Sequence, residues 1–205
     1  PEGIVSVQID HITGDIYALG NLTKTQSKKM AFWGGYLYRQ RNGDKNPSLL
    51  AMSSGGGRLV AFRPQDMKID SPRRRIWIAD TGNHRLVSVN IDSMVVSEIY
   101  AFDNMIFCSG LAINPADGSL VSRWYDSSSF QERIIHIRGG EAQAVFSSFS
   151  DFPWASLSPQ NKSGDLFVID AKNTRKGIYR VPAGGGSVRL EQKSSSKVPV
   201  AMAID

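Results

Sequence analysis

Cysteine is almost absent: the 205-residue chain holds one, Cys108, so no internal disulfide framework is possible. That scarcity neither implies a reducing compartment nor excludes secretion, because a large β core stands without covalent staples. Lying just before Leu111-Ala112-Ile113, Cys108 is expected to be a buried, inert thiol. Histidine is also scarce, with only His11, His84 and His136, whereas zinc sites gather three or four His, Cys or carboxylate ligands. No metal and no cofactor is therefore expected. No apolar run approaches the ~18 residues that span a bilayer. No Gly-x-Ser-x-Gly elbow occurs, and no Ser/His/Asp arrangement follows from spacing, so no catalytic residue is assigned. Helix-period stretches are missing as well.

What the chain does hold is a repeat. Ile69-Asp70, Ile113-Asn114 and Leu157-Ser158 recur at intervals of 44 residues, Ile204-Asp205 follows after 47, and Ile9-Asp10 precedes by 60. Each unit opens with a short alternating strand, such as Val5-Ser6-Val7-Gln8-Ile9. A tight polar turn follows, then a more apolar strand such as Ile16-Tyr17-Ala18-Leu19, Ile76-Trp77-Ile78-Ala79 or Leu166-Phe167-Val168-Ile169. A third strand alternates again, and a fourth closes the unit, as in Val95–Ile99 and 142–146. Period-two patterning between turn residues marks strands. Four such strands per 40–50 residues are the signature of a β-propeller blade.

The expected fold is all-β, a propeller of four-stranded antiparallel blades in one domain. Blades are expected at roughly 4–54, 64–102, 108–148 and 152–193, with a fifth beginning at 198–205. Pro1 in place of Met suggests a processed form or a fragment. A lone fifth-blade strand would leave an edge that natural sheets avoid, which points to part of a larger ring, six blades being the expectation. A four-bladed ring whose last strand packs elsewhere is the alternative.

Within the second unit, Ile76-Trp77-Ile78-Ala79-Asp80-Thr81-Gly82-Asn83-His84-Arg85-Leu86 resembles the NHL-repeat consensus. The fourth unit keeps Asp170, Asn173 and Arg175 at the offsets of Asp80, Asn83 and Arg85; the third has Trp124 and the first Gly20 at the Asp position. Lipoprotein-receptor-type YWTD propellers are similar in the 178–205 stretch, but their Tyr-Trp-Thr-Asp core is missing from every unit. Both resemblances imply six blades. Because Asp-x-x-Asn-x-Arg recurs, the six motif residues are expected to tie loops together through charge-assisted hydrogen bonds, not to form a catalytic site.

Charge is uneven. The net +5 equals the balance of residues 21–49 alone, where Lys24, Lys28, Lys29, Arg39, Arg41 and Lys45 face only Asp44. The same stretch carries Phe32, Trp33, Tyr36 and Tyr38, a mixture that binds phosphates and stacks bases, although a strand beside a solvated loop would read the same way. A second basic spot, Arg73-Arg74-Arg75, belongs to the opposite rim. The Gly-rich strings at 54–58 and 184–187 are expected in rim loops. The favoured reading is a non-enzymatic binding module with Lys24, Lys28, Lys29, Trp33 and Tyr36 as contacts. A protein is its first-choice partner, and a polyanion such as nucleic acid or an acidic glycan the second. The rival is a metal-dependent hydrolase or lyase with a site in the central channel, where Asp10, Asp70 and Asn114 end first strands; Asx turns are their simpler role. Two sequons, at Asn21 and Asn161, scarcely bear on location. The resemblance leans to an extracellular or periplasmic setting and leaves the cytoplasm open.

Overall fold

The computed structural model describes residues 3–21, 35–52, 63–101, 105–114, 117–126, 131–138, 141–147, 157–158, 165–170, 177–182 and 189–193. They form four antiparallel sheets of four strands, each a meander in chain order. The first holds β1 (Ile4–Ile9), β2 (Ile16–Asn21), β3 (Gly35–Gln40) and β4 (Ser48–Met52). The second holds β5 (Asp66–Asp70), β6 (Arg75–Asp80), β7 (Arg85–Asn90) and β8 (Val96–Ala101), with a single 3₁₀ turn at Thr81–Asn83 between β6 and β7. The third comprises β9 (Met105–Ile113), β10 (Leu120–Asp126), β11 (Gln131–Arg138) and β12 (Glu141–Ser147). The fourth comprises β13 (Leu157–Ser158), β14 (Leu166–Asp170), β15 (Gly177–Val181) and β16 (Arg189–Lys193).

By packing, the chain divides into two compact units, Pro1–Cys108 and Ser109–Asp205. The division falls inside β9, which starts at Met105, three residues before the expected blade boundary, because the apolar run from Met105 continues the strand. Cys108 is buried within it.

One turn design closes several hairpins. In the β1–β2 turn Gly14 takes φ +76°, its N–H donates to the Asp10 carbonyl at 2.7 Å, and the Asp10 N–H donates to the Asp15 carbonyl at 2.9 Å. Asn114 and Gly118 (φ +73°) repeat this in the β9–β10 turn, with bonds of 2.8 and 2.7 Å. The left-handed position explains the glycine. Where the β7–β8 turn needs it, Met94 takes φ 57° instead. The leading Asx side chain also folds back: Asp10 Oδ1 accepts from the Ile12 N–H, and Asn90 Oδ1 from the Asp92 and Ser93 N–H groups. These Asx turns are the physical reason for Asp10 and Asn90 where they stand; the fourth unit has Ser158 at the repeat position.

A second regularity is invisible in the sequence. Each outer strand carries one extra residue at the same register step: between the partners of Leu37 and Tyr38, of Leu86 and Val87, of Ile134 and Ile135, and of Ile178 and Tyr179. Such a bulge bends the outer strand and increases its twist, and it breaks the alternation by which that strand would be recognised.

In the first unit, the core lies between sheets one and two. Tyr17, Leu19 and Leu37 from sheet one cluster with Met67, Ile76, Ile78, Val87, Val89 and Ile91, each such side chain contributing about 1.5–3 kcal/mol through burial. In β6 all residues after Arg75 are buried, which is why Ile76-Trp77-Ile78-Ala79 is apolar without alternation. In the second unit, Leu111, Leu120, Trp124, Ile134 and Ile137 are buried, and the Trp124 indole N–H donates to Ser122 Oγ at 2.5 Å.

Candidate functional site

The richest polar cluster joins sheets one and two at the β1–β2 and β5–β6 turns. Arg74 Nη1 donates to Asp10 Oδ2 at 2.5 Å, and its Nη2 to Asp92 Oδ1 at 2.9 Å. Thr13 Oγ1 donates to Asp10 Oδ2 at 2.8 Å. Ser71 also hydrogen-bonds the Asp10 carboxylate, and its Oγ accepts from the His11 N–H at 3.1 Å. Further along, Ser6 Oγ lies 3.3 Å from both Asp66 Oδ1 and the Met67 carbonyl, and Asn21 Nδ2 donates to the Pro64 carbonyl. Asp10 is fully buried, and Arg74 adopts φ 53°, a left-handed conformation rare for a side chain of that size.

Burial by itself would raise the Asp10 carboxyl, but the bonds from Ser71, Arg74, Thr13 and the Ile12 N–H outweigh it and hold the group at about 2. A depressed carboxyl contributes stability above its unfolded value, near 3.8, and loses it as pH falls through the folded one. Allowing for screening at partly exposed Arg74, roughly 1–2 kcal/mol is expected to disappear between pH 4 and pH 2. Urea titrations across that window check this: an Asp10→Asn variant should show a flatter acid limb than the parent.

The repeat motif forms a closed group. Asp80, fully buried at the end of β6, accepts from Asn83 Nδ2 and from Arg85 Nε, both at 2.8 Å. His84 between them sits at φ 52° and donates its N–H to the Thr81 carbonyl at 3.1 Å. The Asp position of sheet one is Gly20, and there the cross-strand partner Tyr36 lays its ring over the glycine: a Cβ at Gly20 would lie 2.3 Å from the ring. Tyr36 is thus buried, edge-on to Tyr38 with centroids 5.1 Å apart, and its ring is packed, not displayed. In sheet three Trp124 fills the same position, also buried. Asp170 ends β14; Asn173 and Arg175 lie outside the described residues.

Sequence reasoning missed another repeated pair. Asp15, just before β2, accepts from Arg39 Nε at 2.7 Å and also from Nη2, while Arg39 stacks over Tyr17 at 5.7 Å. Asp165, just before β14, accepts from Arg180 Nε at 2.7 Å in the same relation. Arg39 pairs in register with Tyr17, and Arg180 with Phe167. Only the cross-strand register brings these residues together; a comparison of both units at that offset would have revealed it.

Among the remaining candidates, Lys24, Lys28, Lys29 and Trp33 lie outside the described residues, in the connection from β2 to β3. Asp70 is buried and faces Arg73 Nη1 at 3.3 Å. Asp10 and Asn114 occupy the turns described above, so the channel-ligand reading of Asp10, Asp70 and Asn114 meets side chains or strand ends engaged in turns. His11 belongs to the β1–β2 turn, His84 to the β6–β7 loop and His136 to β11. Burial pushes the His136 imidazole down, partly opposed by Asp117. Among the described residues no three His, Cys, Asp or Glu side chains are grouped to hold a metal ion, and no helix is long and apolar enough to cross a membrane.

No protein-family model matches the chain, and no curated protein matches its sequence. Solved structures do match in fold. A chain of a nidogen/laminin complex superposes with a TM-score of 0.72 at 14% identity, covering 98% of this chain and 68% of its own length. An auxiliary nutrient binding protein from Bacteroides thetaiotaomicron gives 0.63 at 12% identity, covering 95% and 43%. An oligogalacturonate lyase in complex with manganese gives 0.60 at 11% identity, covering 94% and 61%. These likenesses, with the four-stranded meander sheets, establish the β-propeller fold. At such identities they carry nothing further.

Proposed function

We propose that the chain is a single NHL-like propeller module that binds a protein partner without catalysis. The observation that carries this reading is where the polar chemistry lies. Asp10, Asp15, Asp70, Asp80 and Asp165 each face an arginine within a turn, across a strand pair or, for Asp10, from the neighbouring sheet. The net charge, by contrast, belongs to a 21–49 stretch whose Lys24, Lys28, Lys29 and Trp33 lie between β2 and β3. Only four residues, Thr81 to His84, make the corresponding β6–β7 connection. Long connections on a rigid scaffold are where binding residues concentrate. Tyr36, at the end of this segment, anchors it through its packing on Gly20 and is assigned as support for the contact. A polyanion is the second class of partner, because lysines beside an aromatic ring also suit phosphate or sulfate groups. The proposed setting is extracellular or periplasmic. That a nidogen/laminin complex contains a similar fold is consistent with protein binding on such a scaffold.

The test is a triple substitution of Lys24, Lys28 and Lys29 by Glu. Chemical cross-linking and capture with the parent protein identifies the bound partner, and heparin serves as the polyanion probe. At least a tenfold loss of partner affinity with an unchanged urea midpoint is the expected result, about 1.4 kcal/mol of binding energy. Unchanged partner and heparin affinity would reject this segment as the contact.

A further inference from the structure

Two Asx-Gly pairs occur in the chain, Asn42-Gly43 and Asp117-Gly118, and the fold treats them oppositely. In such a pair the glycine nitrogen is able to attack the preceding side-chain carbonyl carbon, because glycine has no Cβ to hinder the approach and turns freely about φ. At Asp117-Gly118 both reacting groups are occupied. The Gly118 N–H donates to the Asn114 carbonyl at 2.7 Å. Asp117 Oδ1 accepts from the Ser119 N–H at 2.9 Å and from the Ser119 hydroxyl at 2.7 Å.

Asn42-Gly43 forms the centre of the β3–β4 turn, where the Asp44 N–H donates to the Arg41 carbonyl at 3.0 Å and Gly43 takes φ +90°. The ends of this turn are held. The Asn42 N–H donates to Asp15 Oδ1, and Gln40 Nε2 donates to the Asp44 carbonyl, both at 2.9 Å. Its centre is not. Among the described residues no hydrogen bond engages the Gly43 N–H or the Asn42 carboxamide. Both residues are exposed, and a Cβ built on Gly43 would meet no atom within 4 Å.

We infer that Asn42 is a site of spontaneous covalent modification in the folded protein, by ring closure of the Gly43 nitrogen onto Asn42 Cγ. The nitrogen gives up its proton and bonds to Cγ, the Cγ–Nδ2 bond breaks, and ammonia leaves a succinimide. Water then opens the ring at either carbonyl. Opening at Cγ leaves aspartate in an ordinary main chain. Opening at the backbone carbonyl carbon leaves isoaspartate, with the chain routed through Cβ and Cγ and the former backbone carbonyl set free as a carboxylate. Either product adds a negative charge to the turn that holds Asp15. The Asn42 side chain lies over Gly14, its Nδ2 2.8 Å from the place of a Gly14 Cβ, and Asp15 is clasped by Arg39 across the sheet. A like charge there opposes Asp15 and competes for Arg39, so the modification loosens that clasp.

The test incubates the full-length protein in mildly alkaline water labelled with heavy oxygen and maps its peptides by mass spectrometry. Synthetic peptides spanning 39–46 and 114–121 supply the rates of the unfolded chain, and methyl transfer to the isoaspartyl carboxylate scores that product. Position 42 is expected to convert within ~10-fold of the rate of its peptide, whereas position 117 runs at least ~100-fold slower than its own, as for a site that reacts only on local opening. Conversion at 42 suppressed as strongly as at 117, or ageing without isoaspartate, overturns the inference. An Asn42→Gln variant, whose longer side chain closes a ring far more slowly, is the control. The aged fraction, separated by its added negative charge, should unfold at a urea midpoint ~0.3 M or more below that of the variant aged alongside it. Equal midpoints would overturn the link to the Asp15 clasp.

Discussion

Replacing Asp80 with Ala is expected to destabilise the protein by about 3 kcal/mol, because removing one member of a buried ion pair strands its hydrogen-bonding partners. The side chain is fully buried and accepts from two donors at 2.8 Å, Asn83 Nδ2 and Arg85 Nε. Arg85 is partly exposed and recovers some hydration, which places the cost at the lower end of the range for buried pairs. Such a loss lowers the urea midpoint by about 1–2 M for a domain of this size. Asp80→Asn keeps an acceptor but not the charge and should lose about half as much. Partner affinity should be unchanged in both, since the motif is assigned to loop closure. A midpoint within 0.3 M of the parent, or a specific loss of binding, would instead place the triad at a contact. Asp170→Ala probes the same position in β14, and a comparable loss there is the signature of a structural repeat.

Arg74→Ala should cost roughly 2–3 kcal/mol, somewhat less than a fully isolated buried pair, because Thr13, Ser71 and the Ile12 N–H still serve Asp10. The guanidinium spans two carboxylates from different sheets, Asp10 and Asp92, a fork that a lysine ammonium cannot reproduce. Arg74→Lys should therefore recover only part of the loss. Arg74→Gly supplies an independent check. It removes the same bonds but relieves the left-handed backbone, so it should be about 1 kcal/mol more stable than Arg74→Ala. Asp92 lies at the exposed end, and Asp92→Ala should leave the urea midpoint nearly unchanged. If Arg74→Ala behaves like Asp92→Ala, the connection between the two sheets resides in the apolar core alone.

Much of this architecture is legible from residue patterns. Alternation bounded by Asx and Gly turns is a local property, since strand, turn and burial on one face act over a few neighbouring residues. The repeat therefore disclosed four blades and their order, and Asp80, Asn83 and Arg85, close in the chain, bond to one another beside the β6–β7 loop. Tyr36 shows where such reading stops. Its aromatic ring beside lysines suggested a contact, yet its position is set by Gly20 on the neighbouring strand. Arg74, within a run of three arginines, likewise resembled a basic patch until the fold brought Asp10 and Asp92 to it.

By itself, then, the sequence determined the all-β class, the blade period and the turn chemistry, because those depend on short-range periodicity. Only the tertiary structure decided the Asp15–Arg39 and Asp165–Arg180 pairs, the common outer-strand bulge and the Arg74 bridge between sheets. Each depends on strand register or sheet packing, which brings together residues far apart in the chain and carries no local mark.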